Sequence, residues 1–117
     1  MEFKLKEFIS DRYSKAINIL NDNLKEHYHV FYGLRLSEIL FPASEYGSDA
    51  FFNEFEAINS ITLPLLIIEM NERKPVAIIG FEQIAGAVFV EQLNIKVFVI
   101  NNLSELLTNE TLVLLYN

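Results

Sequence analysis

Cysteine is missing from all 117 positions. Its absence removes any disulfide framework, any thiolate nucleophile and any zinc site built on Cys, and is compatible with a reducing cytoplasm. Long apolar runs are missing too. The longest, Leu63–Ile68 and Ala85–Val90, are soon broken by charge or polarity, well short of the roughly 20 residues that a membrane helix needs. The opening segment, Met1-Glu2-Phe3-Lys4-Leu5-Lys6-Glu7, is too polar for a secretory signal. A cytoplasmic chain without membrane insertion is the expectation.

Glycine is scarce and scattered, at Gly33, Gly47, Gly80 and Gly86, so no phosphate-cradling loop exists. Positive charge is scarce as well: nine Lys and Arg stand against sixteen Asp and Glu, for a formal charge of −7, and no Lys or Arg follows Lys96. A domain that grips nucleic-acid phosphates presents a basic patch. Lys4, Lys6, Arg12 and Lys15 gather near the start, but Glu2, Glu7 and Asp11 lie among them. They read as a mixed solvated helix face rather than a small phosphate-binding patch. The acids are dispersed rather than laid in a stripe, which argues against mimicry of a nucleic acid.

Only two histidines occur. His27 and His29 flank Tyr28, so on a strand both rings point the same way. With Glu26 nearby that spacing can hold a metal, but no third strong ligand is indicated, and an edge-strand pair is the simpler reading. The serines sit in capping or loop contexts without a nucleophile-elbow pattern. No metal and no cofactor are expected.

What the chain does have is apolar substance: 51% hydrophobic residues, with ten Phe and five Tyr. That is enough for one packed domain over 1–117. Leu5, Phe8, Ile9, Tyr13, Ala16, Ile17, Leu20 and Leu24 recur at three- and four-residue steps. They predict a helix from near Glu2 to Glu26, with Ser10 able to restart it as an N-cap. Tyr28–Leu36 reads as a strand. Ser37–Phe41 reads as a short helical turn capped by Ser37, and Pro42–Asp49 as a loop. Ala50–Asn59 is a helix candidate capped by Asp49. Leu63–Glu69 and Val76–Phe81 are nearly continuous apolar runs that suit strands buried on both faces, joined as a hairpin by Met70–Pro75. Glu82–Leu93 is a candidate helix weakened by Gly86. Ile95–Ile100 is a last strand, and Asn101 or Asn102 can cap a closing helix over Leu103–Tyr116. The order α-β-α-β-β-α-β-α predicts an α/β fold: a mixed sheet of about four strands flanked by helices, with the last strand parallel to its neighbour.

Three stretches carry a family likeness: Val30-Phe31-Tyr32-Gly33-Leu34-Arg35-Leu36-Ser37-Glu38-Ile39-Leu40, Pro75-Val76-Ala77-Ile78-Ile79, and Leu93-Asn94-Ile95-Lys96-Val97-Phe98-Val99-Ile100. They resemble strand segments of a bacterial nuclease-like family of unknown function within the restriction-endonuclease-like, PD-(D/E)XK superfamily. Nucleases of that fold need an Asp on the first hairpin strand and Glu-x-Lys on the second. The carboxylates hold Mg²⁺ and the Lys positions water or offsets charge. Here the resemblance maps the Asp onto Pro64, the Glu onto Gly80 and the Lys onto Glu82. Neither Pro nor Gly offers an oxygen side chain to a metal, and Glu82 has the wrong charge. The resemblance therefore implies a fold and not an activity, and no catalytic residue is expected. A shifted alignment would have to draw on Glu69 facing Glu82, or on Glu54 and Glu56; exposed acids at strand ends and on a helix face are the simpler reading.

Protein contact is the function this pattern favours. Phe51, Phe52 and Phe55, beside Phe41 and Tyr46, are candidates for a docking surface, since aromatics dominate interface hot spots. In the candidate helix Glu82–Leu93, residues Ala85, Val88, Phe89 and Leu93 suffice to fill one buried face. Ile84, Ala87 and Val90 are then left for a partner or a second copy. The expectation is a non-catalytic scaffold for a protein partner or homo-oligomer, an accessory subunit of a larger bacterial assembly. The alternatives are a nucleic-acid-binding module without cleavage, or a metal-dependent nuclease with a rewired carboxylate site.

Overall fold

Helix formation begins at Ser10. In the computed structural model, which describes residues 1–117, the Ser10 hydroxyl accepts from the Tyr13 backbone N–H at 3.3 Å, and helix α1 runs Asp11–Asn23. Asp11 in its first turn suits the positive end of the helix dipole. Ala16 and Leu20 are fully buried. The expected helical stretch from Glu2 to Ile9 is instead irregular and exposed apart from half-buried Ile9. Once Ser10 caps the helix, Met1, Phe3 and Leu5 have no neighbour to pack against.

Four strands follow: β1 Tyr28–Tyr32, β2 Leu65–Glu69, β3 Lys74–Gly80 and β4 Lys96–Val99. They pair in the order β1-β2-β3-β4. β1–β2 and β2–β3 are antiparallel, and β3–β4 is parallel. The fold is thus α/β with a mixed four-stranded sheet flanked by helices. β1 stops short of the expected Leu36 because Gly33 takes a left-handed φ of +78°. Pairing continues past it irregularly: Leu63 N–H donates to Leu34 C=O at 2.7 Å, and Leu36 N–H to Ile61 C=O at 2.8 Å.

Helix α2, Asp49–Asn59, is capped by Ser48 rather than Asp49; the Ser48 hydroxyl accepts from Phe51 N–H at 3.1 Å. Ser37 does not cap the short 3-10 turn Leu36–Glu38. Its hydroxyl donates to Asn59 Oδ1 at 2.9 Å, tying that turn to the end of α2. Of the expected helix Glu82–Leu93 only α3, Ala87–Glu91, is helical. Gly86 before it has φ +83°, and a Cβ there would lie 2.9 Å from Leu36 Cδ2, so both conformation and space demand glycine. The closing helix is also broken. α4 covers Glu105–Thr108 and a 3-10 turn covers Leu112–Leu115. The Asn109 side chain causes the break: its Oδ1 accepts from Thr111 N–H at 3.0 Å and Leu112 N–H at 2.9 Å. Asn102 does serve as an acceptor at the start, from Glu105 N–H at 3.3 Å. No helix is long and apolar enough to cross a membrane.

Burial alternates along the central strands. Leu65, Ile67, Ala77 and Ile79 face α1 and the C-terminal turns, with Leu20, Leu106 and Leu112. Leu66 and Ile78 face the other side, with Leu36, Ile58, Ile84 and Val90. The sheet therefore separates two apolar clusters, which explains why β2 and β3 lack the polar alternation of a half-exposed strand. No polar side chain is buried among them. The chain end is latched to the first cluster. Tyr116 donates its hydroxyl to Leu106 C=O at 2.6 Å, and Asn117 N–H donates to Asn23 C=O at 2.9 Å. Burial pushes the Tyr116 phenol up to about 12 from its ordinary 10.0.

Two outcomes follow. Ile79→Ala, which empties a fully buried site, is expected to cost about 2–5 kcal/mol in urea unfolding. The Tyr116 phenol adds an alkaline limit. The unfolded chain loses this proton near 10.0 and the folded chain at about 12, so stability is retained below that window and falls as pH rises through it. Tyr116→Phe should flatten this fall, read as the change in unfolding midpoint across the same pH range.

Candidate functional site

The strand register sets Pro64 opposite Gly80, because Leu65 pairs with Ile79 one step further in. The two positions onto which the resemblance maps catalytic carboxylates are thus neighbours at one end of the hairpin. What lies between them is hydrocarbon. A Cβ built on Gly80 would stand 3.0 Å from Ile84 Cγ1 and 3.1 Å from Pro64 Cγ. Ile84 itself is buried, turned in under the strand end. A cleft of about 310 Å³ remains beside them, lined by Tyr13, Tyr32, Thr62, Glu82 and Gln83 among others. Tyr13 spends its hydroxyl oxygen on the Phe81 backbone N–H at 3.1 Å, and the Arg12 guanidinium lies 4.0 Å over the Phe81 ring.

Glu69 and Glu82 do not face each other. Glu69 pairs with Lys74 at the turn end of the hairpin, whereas Glu82 follows Gly80 at the opposite end. At about 3.3 Å per residue they are separated by roughly 13 Å or more. Glu69 instead stands 4.0 Å from His27 Nε2 and accepts from Glu72 N–H at 2.6 Å. Glu54 accepts from Ser44 N–H at 3.3 Å, holding the loop before α2; Glu56 is exposed. His29 is exposed on the edge strand, while His27 is half-buried and stacks on Tyr28 at 4.3 Å. No group of three or more His, Asp or Glu converges anywhere in the chain.

The larger concavity lies elsewhere. The segment Leu40–Ala43, one side of α2 and the outer side of α3 enclose a groove of about 580 Å³. Leu40, Phe41, Ala57, Ile58, Phe89 and Leu93 supply its apolar lining, and Asn53, Glu54 and Gln92 its polar edge. Phe41 is 73% exposed, and Phe89 and Leu93 are also open to solvent. Val88 is exposed beside them. A contiguous set of large apolar side chains in water is characteristic of a contact surface.

Aromatic packing props up one wall. Phe51 is only 5% exposed. Its ring meets Phe41 at 5.4 Å, Tyr46 at 4.9 Å and Phe52 at 5.5 Å. Phe51 is therefore the support of the exposed aromatics and not itself a docking residue, which corrects the expectation for it. Phe52, Phe55 and Tyr46 are exposed as a docking role requires, though none of them lines the groove. Val90 is 0% exposed, so its expected place on a surface is also corrected. The physical reason is phase. One continuous helix with Ala85, Val88, Phe89 and Leu93 as its buried face leaves Ile84, Ala87 and Val90 outside. Because the helix starts only after the left-handed Gly86, Ile84 and Val90 are buried while Ala85, Val88, Phe89 and Leu93 are exposed. The Gly at that point was the available signal.

All six charged residues over 39–60 and 82–95 are acidic: Glu45, Asp49, Glu54, Glu56, Glu82 and Glu91. All six are exposed. Of these, Glu54 lines the groove and Glu91 directly precedes Gln92 at its edge, whereas Glu82 lines the other cleft; the groove lining carries no basic residue. No protein-family model, no curated protein and no solved structure matched the chain.

The crowding at Gly80 makes a direct prediction. Gly80→Ala should cost about 1–3 kcal/mol by overpacking. In combination with Ile84→Ala the two costs should fall short of additivity, because truncating Ile84 frees the space the new methyl needs. A double-mutant cycle in chemical denaturation checks this.

Proposed function

We propose that this chain is a restriction-endonuclease-like scaffold without cleavage chemistry, which works through protein contact as an accessory subunit of a bacterial assembly. The hairpin of β2 and β3 with a neighbouring antiparallel β1, followed by a helix and a parallel β4, supports the fold assignment. The observation that carries the functional reading is the contrast between the two concavities. At the hairpin end Pro64, Gly80 and Ile84 occupy the space where paired carboxylates would hold a metal. Elsewhere on the sheet face that Ile84 shares with Ile58, an apolar groove stands open with Phe41, Phe89 and Leu93 at its mouth.

Protein interfaces draw their energy from a few buried aromatic and aliphatic anchors. Phe41 and Leu93 are the natural ones here, being exposed and set on different walls of the groove. Acidic surroundings disfavour nucleic-acid phosphates at the same surface.

Phe41→Lys with Leu93→Lys should weaken binding of the protein that co-purifies with the chain by roughly tenfold or more, about 1.4 kcal/mol per tenfold. The unfolding midpoint should stay near that of the unaltered chain, because both side chains are exposed. Binding that is unchanged by both substitutions would count against the groove. Mg²⁺- or Mn²⁺-dependent cleavage of nucleic acid that disappears with Glu82→Gln would replace the scaffold reading with a rewired nuclease.

A further inference from the structure

The segment Met1–Ile9 has no backbone or side-chain hydrogen bond within the chain. Its side chains alternate: Met1, Phe3 and Leu5 against Glu2, Lys4 and Lys6. In an extended segment such alternation sets the apolar residues on one side and the charged ones on the other, about 7 Å between successive members of each set. Phe3 is 87% exposed and Leu5 103%. The root of this arm is held, since the Phe8 ring meets Tyr32 edge-on at 5.3 Å. The arm therefore starts from a fixed point and carries an apolar edge that its own domain leaves in water.

The molecule also carries the complement. The groove between Leu40–Ala43, α2 and α3 is apolar inside. Its lining holds Glu54 and no Lys, Arg or His, and Glu91 directly precedes Gln92 at its edge. We propose that the arm Met1–Glu7 of a second copy of this chain occupies this groove, with Phe3 and Leu5 against Phe41, Phe89 and Leu93, and with Lys4 and Lys6 toward Glu54 and Glu91. This rests on the reading of the groove as a protein-docking surface and names its occupant.

Charge and topology select this occupant. Lys4 and Lys6 lie at the centre of the arm with Glu2 and Glu7 toward its ends, so the middle of the arm offers positive charge to a rim that has none of its own. The arm is rooted on Tyr32, which packs into the sheet face covered by α1. The groove is floored by Ile58 on the opposite face. Seven extended residues reach about 25 Å at most, and reaching its own groove would require the arm to turn round the sheet edge. A neighbouring molecule presents the groove without that detour. Each copy then gives one arm and receives one, and a two-fold arrangement closes the pair.

The test is sedimentation velocity over rising concentration, joined to cross-linking from a photoreactive phenylalanine analogue placed at Phe3 in an equal mixture of ¹⁵N-labelled and unlabelled chains. The expected result is a concentration-dependent dimer, with cross-links that join labelled to unlabelled chains and fall within 40–43 or 89–93. Phe3→Asp with Leu5→Asp should weaken the dimer by roughly tenfold or more, and Phe41→Lys should do the same. Lys4→Glu with Lys6→Glu should weaken it too, and Glu54→Lys with Glu91→Lys should restore that pair. All these positions are exposed, and an unchanged unfolding midpoint verifies each fold. A monomer at the highest attainable concentration, cross-links within one chain, or cross-links to the open edge of β1 would each overturn the proposal. If the chain is monomeric but Phe41→Lys still abolishes binding of a different protein, only the occupant is wrong. If groove substitutions change neither, the docking reading fails with it.

Discussion

The double burial of β2 and β3 is the constraint from which the rest of the molecule follows. Leu65, Ile67, Ala77 and Ile79 must be covered on one side and Leu66 and Ile78 on the other. Two layers of helix and turn are therefore obligatory. α1 and the latched C-terminal turns supply one, and α2 and α3 supply the other. The first layer is latched: its end is pinned by Tyr116 on Leu106 and by Asn117 on Asn23. The second is not. α2 buries only Phe51 and Ile58 of its eleven residues, and α3 is barely more than one turn. An incomplete layer over a fully apolar strand pair leaves large side chains at the surface, and the groove is where they gather.

Closure of the hairpin end and opening of the groove share a cause. Gly86 takes a left-handed φ of +83° at a point where a Cβ would stand 2.9 Å from Leu36 Cδ2. That turn sends Ile84 inward against Gly80 and Pro64 and rotates Phe89 and Leu93 outward. The segment around one glycine thus packs hydrocarbon between Pro64 and Gly80 and exposes an apolar wall on its opposite side. The scaffold role proposed for this chain needs no more than this local arrangement, on a sheet whose core is left intact.

Much of the sheet was legible because its signals are local. The runs Leu63–Glu69 and Val76–Phe81, the polar link between them, and Ile95–Ile100 each announce a buried strand within a few residues. Ser10 announced a helix start that the longer periodicity obscured, and the alternation of Met1, Phe3 and Leu5 was absorbed into the helical pattern although its period is two. The closing helix was over-read because Asn109 competes for backbone N–H groups from inside an otherwise helical leucine pattern. The groove was largely illegible. Its walls come from Leu40–Ala43, α2 and α3, which meet only through tertiary packing. Its aromatic members were indistinguishable from core until Phe51 proved buried and Phe41 exposed. Pro64 and Gly80 were the exception, since the text of the chain shows that neither offers an oxygen-bearing side chain.

Hydrogen–deuterium exchange on the gently purified chain, compared with the same chain after dissociation from whatever it binds, tests the proposed protein-contact role most directly. The predicted result is added protection over Leu40–Ala43, α2 and α3, with none at Thr62–Pro64 or Glu82–Ala85. Protection that falls on Thr62–Pro64 and Glu82–Ala85, and that depends on a divalent cation, would contradict it.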